Sequence, residues 1–319
     1  MANNKSKKAT NKKSSKSKAA VAKTEKANEA ESVKTEVTTV EPEVKTTVKT
    51  KAASPKKACK NPFKGFFVKK CDASENILTI FKSTKIWGAV LGEVIGTMLL
   101  SILLLTLGVY QPLYVMFGVL AITMAVYAFS GAQLNPIVTA GMMATRRVSA
   151  IRGVLYIVAQ IIGAWLGLML VNAFRLAGDS ATELPVMTEL TGDTVWQNIF
   201  IELVGAIIIG FFATRAQAYK SPRGVFTFAA IVAGGIMMAI LFGIVVSGNF
   251  FNLQNNFAMN PAIAIMHQIF PTSAENFGAL AGSIALAGAT YILIPMVGGV
   301  IGSFLSDASS KLAEESIEA

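Results

Sequence analysis

The chain has 319 residues, of which 53 % are hydrophobic and 15 % charged, and a formal net charge of +10. A soluble domain usually holds about 45–50 % apolar residues, so the surplus here and the positive mean hydropathy exclude an ordinary soluble protein. The charge is uneven: residues 1–60 hold 16 Lys and 6 Glu, which leaves 13 of the 29 Lys/Arg and 13 of the 19 Asp/Glu to cancel in a neutral body.

Residues 1–60 are mostly Lys, Ala, Ser, Thr, Val and Glu, with no aromatic residue. Such a segment cannot bury enough apolar surface to offset its ordering entropy, and a disordered tail is predicted. Two readings of it stay open. One is a tether to anionic lipid or nucleic acid, each Lys near an anionic leaflet gaining roughly 1 kcal/mol; the other is a solvated tail. No apolar stretch with a small-residue cleavage site follows the first lysines, so a secretory signal is not expected. In the next segment, 61–85, Phe63, Phe66, Phe67 and Val68 alternate with Lys64, Lys69 and Lys70, which suits a juxtamembrane stretch at the interface. Cys59 and Cys71 are expected as free thiols, because a reducing cytoplasm disfavours a disulfide.

A bilayer core of about 30 Å needs roughly 20 apolar residues of helix. Six stretches qualify: 86–109, 112–129, 153–174, 195–213, 224–246 and 277–305. The apolar segments after Asn135 and Asn260 break after about ten residues and are too short to span. Basic residues set the orientation. Arg146, Arg147 and Arg152 lie between the second and third spans, and Arg215, Lys220 and Arg223 between the fourth and fifth. The third connection has Arg175 against Asp179, Glu183, Glu189 and Asp193, which places both termini, including a short tail at 306–319, in the cytoplasm. Glycines four apart, at Gly92/Gly96, Gly163/Gly167, Gly278/Gly282 and Gly298/Gly302, predict close helix contacts.

The body repeats itself. Gly92-Glu93-Val94-Ile95-Gly96 parallels Ile201-Glu202-Leu203-Val204-Gly205, and Leu134-Asn135-Pro136 parallels Met259-Asn260-Pro261. Each Asn-Pro follows the second span of its half, and three spans per half force opposite insertion, so the repeat is inverted. Asn favours the N-cap and Pro the first helical position, so each pair starts a helix abruptly. Two half-helices starting at mid-membrane aim their positive ends at one point, where the amides of Asn135 and Asn260 can donate to a permeating oxygen. Glu93 and Glu202 then serve as buried acceptors for the loops, since irregular backbone at this depth needs partners or a wet pore.

Ser130-Gly131-Ala132-Gln133-Leu134-Asn135-Pro136-Ile137-Val138-Thr139 resembles the first signature loop of the aquaporin family. Tyr156, Ala159, Gln160, Gly163 and Ala164 resemble its third helix, and Phe257-Ala258-Met259-Asn260-Pro261-Ala262 its second loop in the glycerol-facilitator form. The likeness covers about residues 86–305. It implies an all-α membrane protein, a right-handed bundle of six helices and two half-helices, assembled as a homotetramer in the plasma membrane. It further implies passive flow of water, glycerol or similar neutral solutes across the bilayer, with no cofactor. Carried over by position, Asn135, Pro136, Asn260, Pro261 and Gln133 form the central constriction. Phe117, Gly248, Phe257 and Ile263 form the outer filter, although Phe117 lies two residues nearer its Asn-Pro than the family spacing. Gly248 and Phe257 match glycerol facilitators. Ile263 replaces the family's arginine, Ala264 the next polar residue, Gln133 the usual His and Ile137 the usual Ala.

Other classes weigh less. The spans and half-helices have one His, no Cys and two separated Glu, so neither a catalytic site nor a metal is expected. Glu93 and Glu202 leave open an ion-coupled carrier, and the lost arginine leaves open a closed pore kept as a structural tether. His267 reads as a pH sensor or a helix-end residue. Asn249, Phe250, Phe251, Asn252, Gln254, Asn255 and Asn256 read as a polar vestibule or a loop satisfying its own backbone.

Overall fold

A computed structural model of the protein describes residues 81–108, 111–178, 190, 192, 194–221, 223–253, 257–267 and 277–318. The segment 1–60, residues 61–80 of the juxtamembrane stretch, Cys59, Cys71, Gln254, Asn255, Asn256 and the side chain of His267 lie outside the described residues.

The described residues form helices and no strand. They are α1 (Thr84–Thr106), α2 (Pro112–Ser130), α3 (Pro136–Ala144), α4 (Ala150–Ala177), α5 (Val195–Ala216), α6 (Val225–Val245), α7 (Pro261–His267), α8 (Phe277–Gly288) and α9 (Ile294–Glu318). Six rods are long and apolar enough to cross a membrane, the last being α8 and α9 joined by the wide π-turn Ala289–Leu293. That turn has a local cause. Pro295 has no N–H for the Tyr291 carbonyl, and a widened turn just before it avoids the clash of its ring with the preceding turn. A second π-turn, Val246–Phe250, extends α6 and is closed by the Phe251 N–H to the Val246 carbonyl at 3.1 Å.

Pro112 starts α2 from the first turn, and Gly131, at φ +84°, ends it with its N–H on the Tyr127 carbonyl. α3 and α7 are the two short segments. They do not cross; each begins at its Asn-Pro and packs against the third span of the opposite half, α3 on α9 and α7 on α4. The halves therefore interlock.

Two of the glycine pairs pack helices within each half, α4 on α1 and α9 on α5. A Cβ on Gly167 would lie 2.7 Å from the Met98 carbonyl, and one on Gly298 2.7 Å from the Leu203 carbonyl. Gly163 and Gly302 press equally on the backbones of α1 and α5. Val94 and Leu203, the contacts of Gly163 and Gly298, each directly follow the paired Glu, so both halves share one register. Gly282 differs: it faces open space, because α8 presents it outward.

Six crossings bring the chain back to its starting face. There Arg147 forks onto Asp307 of α9, Nη1 to Oδ2 at 3.0 Å and Nη2 to Oδ1 at 2.6 Å. Ser306 and Asp307 are buried, and the segment 306–319, expected as a tail, is helical as far as Glu318. Asp307→Asn leaves the Arg147 fork unmatched, and with Arg147 partly solvated the expected loss is about 1–3 kcal/mol, read as a lower unfolding temperature in detergent.

Candidate functional site

The site is built from the two loops that lead into α3 and α7. Asn135 caps α3: its Oδ1 accepts the Ile137 N–H at 2.9 Å, and Asn260 Oδ1 likewise accepts the Ala262 N–H at 3.1 Å. Each carboxamide nitrogen then crosses to the other loop. Asn135 Nδ2 donates to the Met259 carbonyl at 2.9 Å, and Asn260 Nδ2 to the Leu134 carbonyl at 3.3 Å. An amide nitrogen carries two protons, so each Asn keeps one N–H beyond this bond.

Those carbonyls are held by unusual backbone. Leu134 and Met259, the residues before each Asn, both adopt positive φ, +54° and +46°. Ala132 is at +52° as well. Such conformations cost a non-glycine residue of order 1–2 kcal/mol and persist only where neighbours impose them. The buried acids are those neighbours. Glu93 Oε1 accepts the Gln133 N–H at 3.0 Å and Oε2 the Leu134 N–H at 2.7 Å. Glu202 accepts the Ala258 N–H at 2.6 Å and the Met259 N–H at 3.1 Å. Each Glu thus pins the residue whose carbonyl receives the opposite Asn.

The halves differ in one respect. Gln160 Nε2 donates to Glu93 Oε2 at 2.7 Å and to Thr139 Oγ1 at 3.0 Å, tying α1, α3 and α4 together. Counted from the matched glycines Gly163 and Gly298, the counterpart of Gln160 is Pro295, which has no side-chain donor. Gln160 was visible in the sequence as part of a helix motif, but its partner was not.

Gln133 lies on the same path with its side chain 9 % exposed and its Oε1 without a partner. Among the described residues no hydrogen bond reaches the carbonyls of Ala132 or Gln133. Bare carbonyls on irregular backbone inside a membrane protein suit the wall of a wet path.

Of the four expected filter residues the structure buries two, Ile263 and Phe257. Ile263 is 8 % exposed on the first turn of α7. Phe257 is equally buried, its ring tip so close to α6 that a Cβ on Gly243 would lie 2.6 Å from Cζ. Gly248 sits in the π-turn and is exposed, and a Cβ there would meet nothing within 4 Å. Phe117 is misplaced by the sequence reading. The packed face of α2 carries Val115, Val119, Thr123 and Val126, and Phe117, about 200° around the helix from Val115, is 55 % exposed on the opposite face. Val115, fully buried and in one apolar cluster with Val119, Ile240 and Ile263, takes the inward place. The clue was the spacing itself: the residue two places before Phe117 stands at the family distance from Asn135.

Six membrane-crossing rods, two interlocked half-helices and a central pair of asparagine donors define a membrane channel of inverted-repeat architecture. The chain belongs to the major intrinsic protein family, which it matches over residues 80–308. It is 30 % identical over 223 residues to the glycerol uptake facilitator protein-like 6 of Lactiplantibacillus plantarum, a match covering 67 % of this chain and 94 % of that one. Aquaporin C of Dictyostelium discoideum is 28 % identical over 173 residues, 53 % of this chain and 61 % of its own. Among solved structures, the aquaglyceroporin from Plasmodium falciparum matches at 18 % identity and a TM-score of 0.45, over 70 % of this chain and 94 % of that one. The protein is therefore a multi-pass membrane channel for water or other small solutes and not an enzyme.

Proposed function

We propose that the chain passes glycerol and similar small polyols, with water crossing more slowly than in channels whose filter keeps an arginine. The observation that carries this is the composition of the outer ring, Val115, Gly248, Phe257 and Ile263: apolar walls, one open glycine position and no fixed charge. A solute that gives up hydrogen bonds to water there loses roughly 1–3 kcal/mol for each polar group left unmet, which disfavours water more than a solute with a carbon backbone. The spare N–H of Asn135 and of Asn260 then serves hydroxyl oxygens at the centre.

The decisive measurement is stopped-flow flux of water, glycerol and urea in proteoliposomes, beside Ile263→Arg. A guanidinium at this position finds no carboxylate in the cluster of Val115, Val119 and Ile240, so it crowds the path rather than restoring a water filter. Glycerol flux is expected to fall about tenfold, equivalent to about 1.4 kcal/mol of barrier. Water permeability raised by Ile263→Arg to that of an arginine-bearing relative would overturn the reading. The same burial of Val115, Val119 and Ile263 favours a second reading, a sealed pore kept as a membrane tether. Folded wild-type protein that passes no solute would establish it.

The remaining proposals rest on charge and on likeness. Arg146, Arg147, Arg152, Arg215, Lys220 and Arg223 on one face support placing that face, and both termini, in the cytoplasm at the plasma membrane. Residues 1–60 then form a cytoplasmic tail whose lysines suit anionic lipid or nucleic acid. A homotetramer with one pore per subunit is the assembly that the family likeness supports.

A further inference from the structure

The fixed charge missing from the outer ring has a counterpart at the other end of the path. Gly131, which ends α2 at φ +84°, begins the irregular stretch that descends to Asn135. A Cβ on Gly131 would lie 3.4 Å from Nζ of Lys220 and 3.7 Å from its Cε. Lys220 comes from the connection between α5 and α6 and is itself exposed, yet its side chain reaches back over this loop. The glycine leaves room for it. Its ammonium therefore stands where the stretch with the bare carbonyls of Ala132 and Gln133 opens onto the basic face.

Two other cations on this face have partners on α9: Arg147 with Asp307, and Arg215 Nη1 with Ser310 Oγ. Carbonyl oxygens attract cations, and without an opposing charge they would draw them toward the Asn pair. We infer that Lys220 is a specificity-determining residue: its charge at the basic-face mouth opposes cations before they reach the carbonyl-lined stretch. This rests on the loop from Gly131 to Asn135 lining the pore. Because Lys220 is exposed, its field is near the aqueous limit and falls off within a Debye length, so the effect is modest and dependent on salt.

The test uses the full chain in proteoliposomes, with potassium influx followed by a trapped dye and glycerol flux by light scattering. Lys220→Gln is expected to raise the ratio of potassium to glycerol flux on the order of fivefold at low salt, Lys220→Glu more, and Lys220→Arg to keep the wild-type ratio. At about 1 M salt, where the Debye length is about 3 Å, the difference between Lys220→Gln and wild type is expected to shrink toward unity. Arg223→Gln, in the same connection, is the control and leaves the ratio unchanged. Vesicles that pass glycerol but show one ratio across the Lys220 series overturn this inference alone, as does an equal rise with Arg223→Gln. Wild-type vesicles that pass neither glycerol nor water overturn the channel reading together with it.

Discussion

Glu93→Leu is expected to abolish the folded pore. The substitution strands the Gln133 and Leu134 N–H groups and one donor of Gln160, all three of them buried where no water replaces the lost oxygen. At about 1–3 kcal/mol for each buried unpaired donor, the loss is on the order of 3–6 kcal/mol, a large share of a typical stability of about 5–15 kcal/mol. The strained Leu134 is released at the same time, and with it the carbonyl that receives Asn260. Glu202→Leu strands the two N–H groups of Ala258 and Met259 and is expected to cost roughly two-thirds as much. Thermal unfolding in detergent, with glycerol flux from the surviving protein, measures both. A Glu93→Leu protein that unfolds within about 2 °C of wild type, or a Glu202→Leu protein that suffers more, contradicts the role assigned to these bonds.

The second large effect separates two residues of α2 only two positions apart. Val115→Trp is expected to cut glycerol flux about tenfold or more, and Val115→Ala to raise it, while Phe117→Ala stays within about twofold of wild type. Val115 is fully buried in the cluster with Ile263, whereas Phe117 is exposed on the far side of α2. Overpacking a core position typically costs about 1–3 kcal/mol, so unfolding is followed in parallel and the Ala variant keeps the comparison free of that cost. Flux that follows Phe117 and ignores Val115 would return the aromatic wall to the pore.

These residues also mark how far reading the sequence carries. Span number, the two Asn-Pro starts and the paired Glu are local or periodic signals. Twenty apolar residues, an N-cap followed by proline, and a Glu recurring at one register are each written in a few consecutive positions. The same holds for Gly163 and Gly298, whose spacing announced close helix contact. Which face of α2 points inward is not local, because that helix is apolar all round and its periodicity is correspondingly weak. An aromatic wall points to Phe117, but the packing of Val115, Val119, Thr123 and Val126 turns that side chain away, in line with the spacing from Asn135. Gly282 failed in the same manner, its spacing right and its face outward.

The neutral apolar body, its six spans, the inverted repeat and the central asparagines are all legible in the residues, because membrane insertion and helix capping depend on short-range chemistry. Only the closed bundle shows that each Asn reaches the carbonyl before the other, that Gln160 braces one half while Pro295 leaves the other without it, and that Lys220 reaches Gly131. Those relations join residues 21 to 126 positions apart, and no local propensity encodes a distance that only the closed bundle creates.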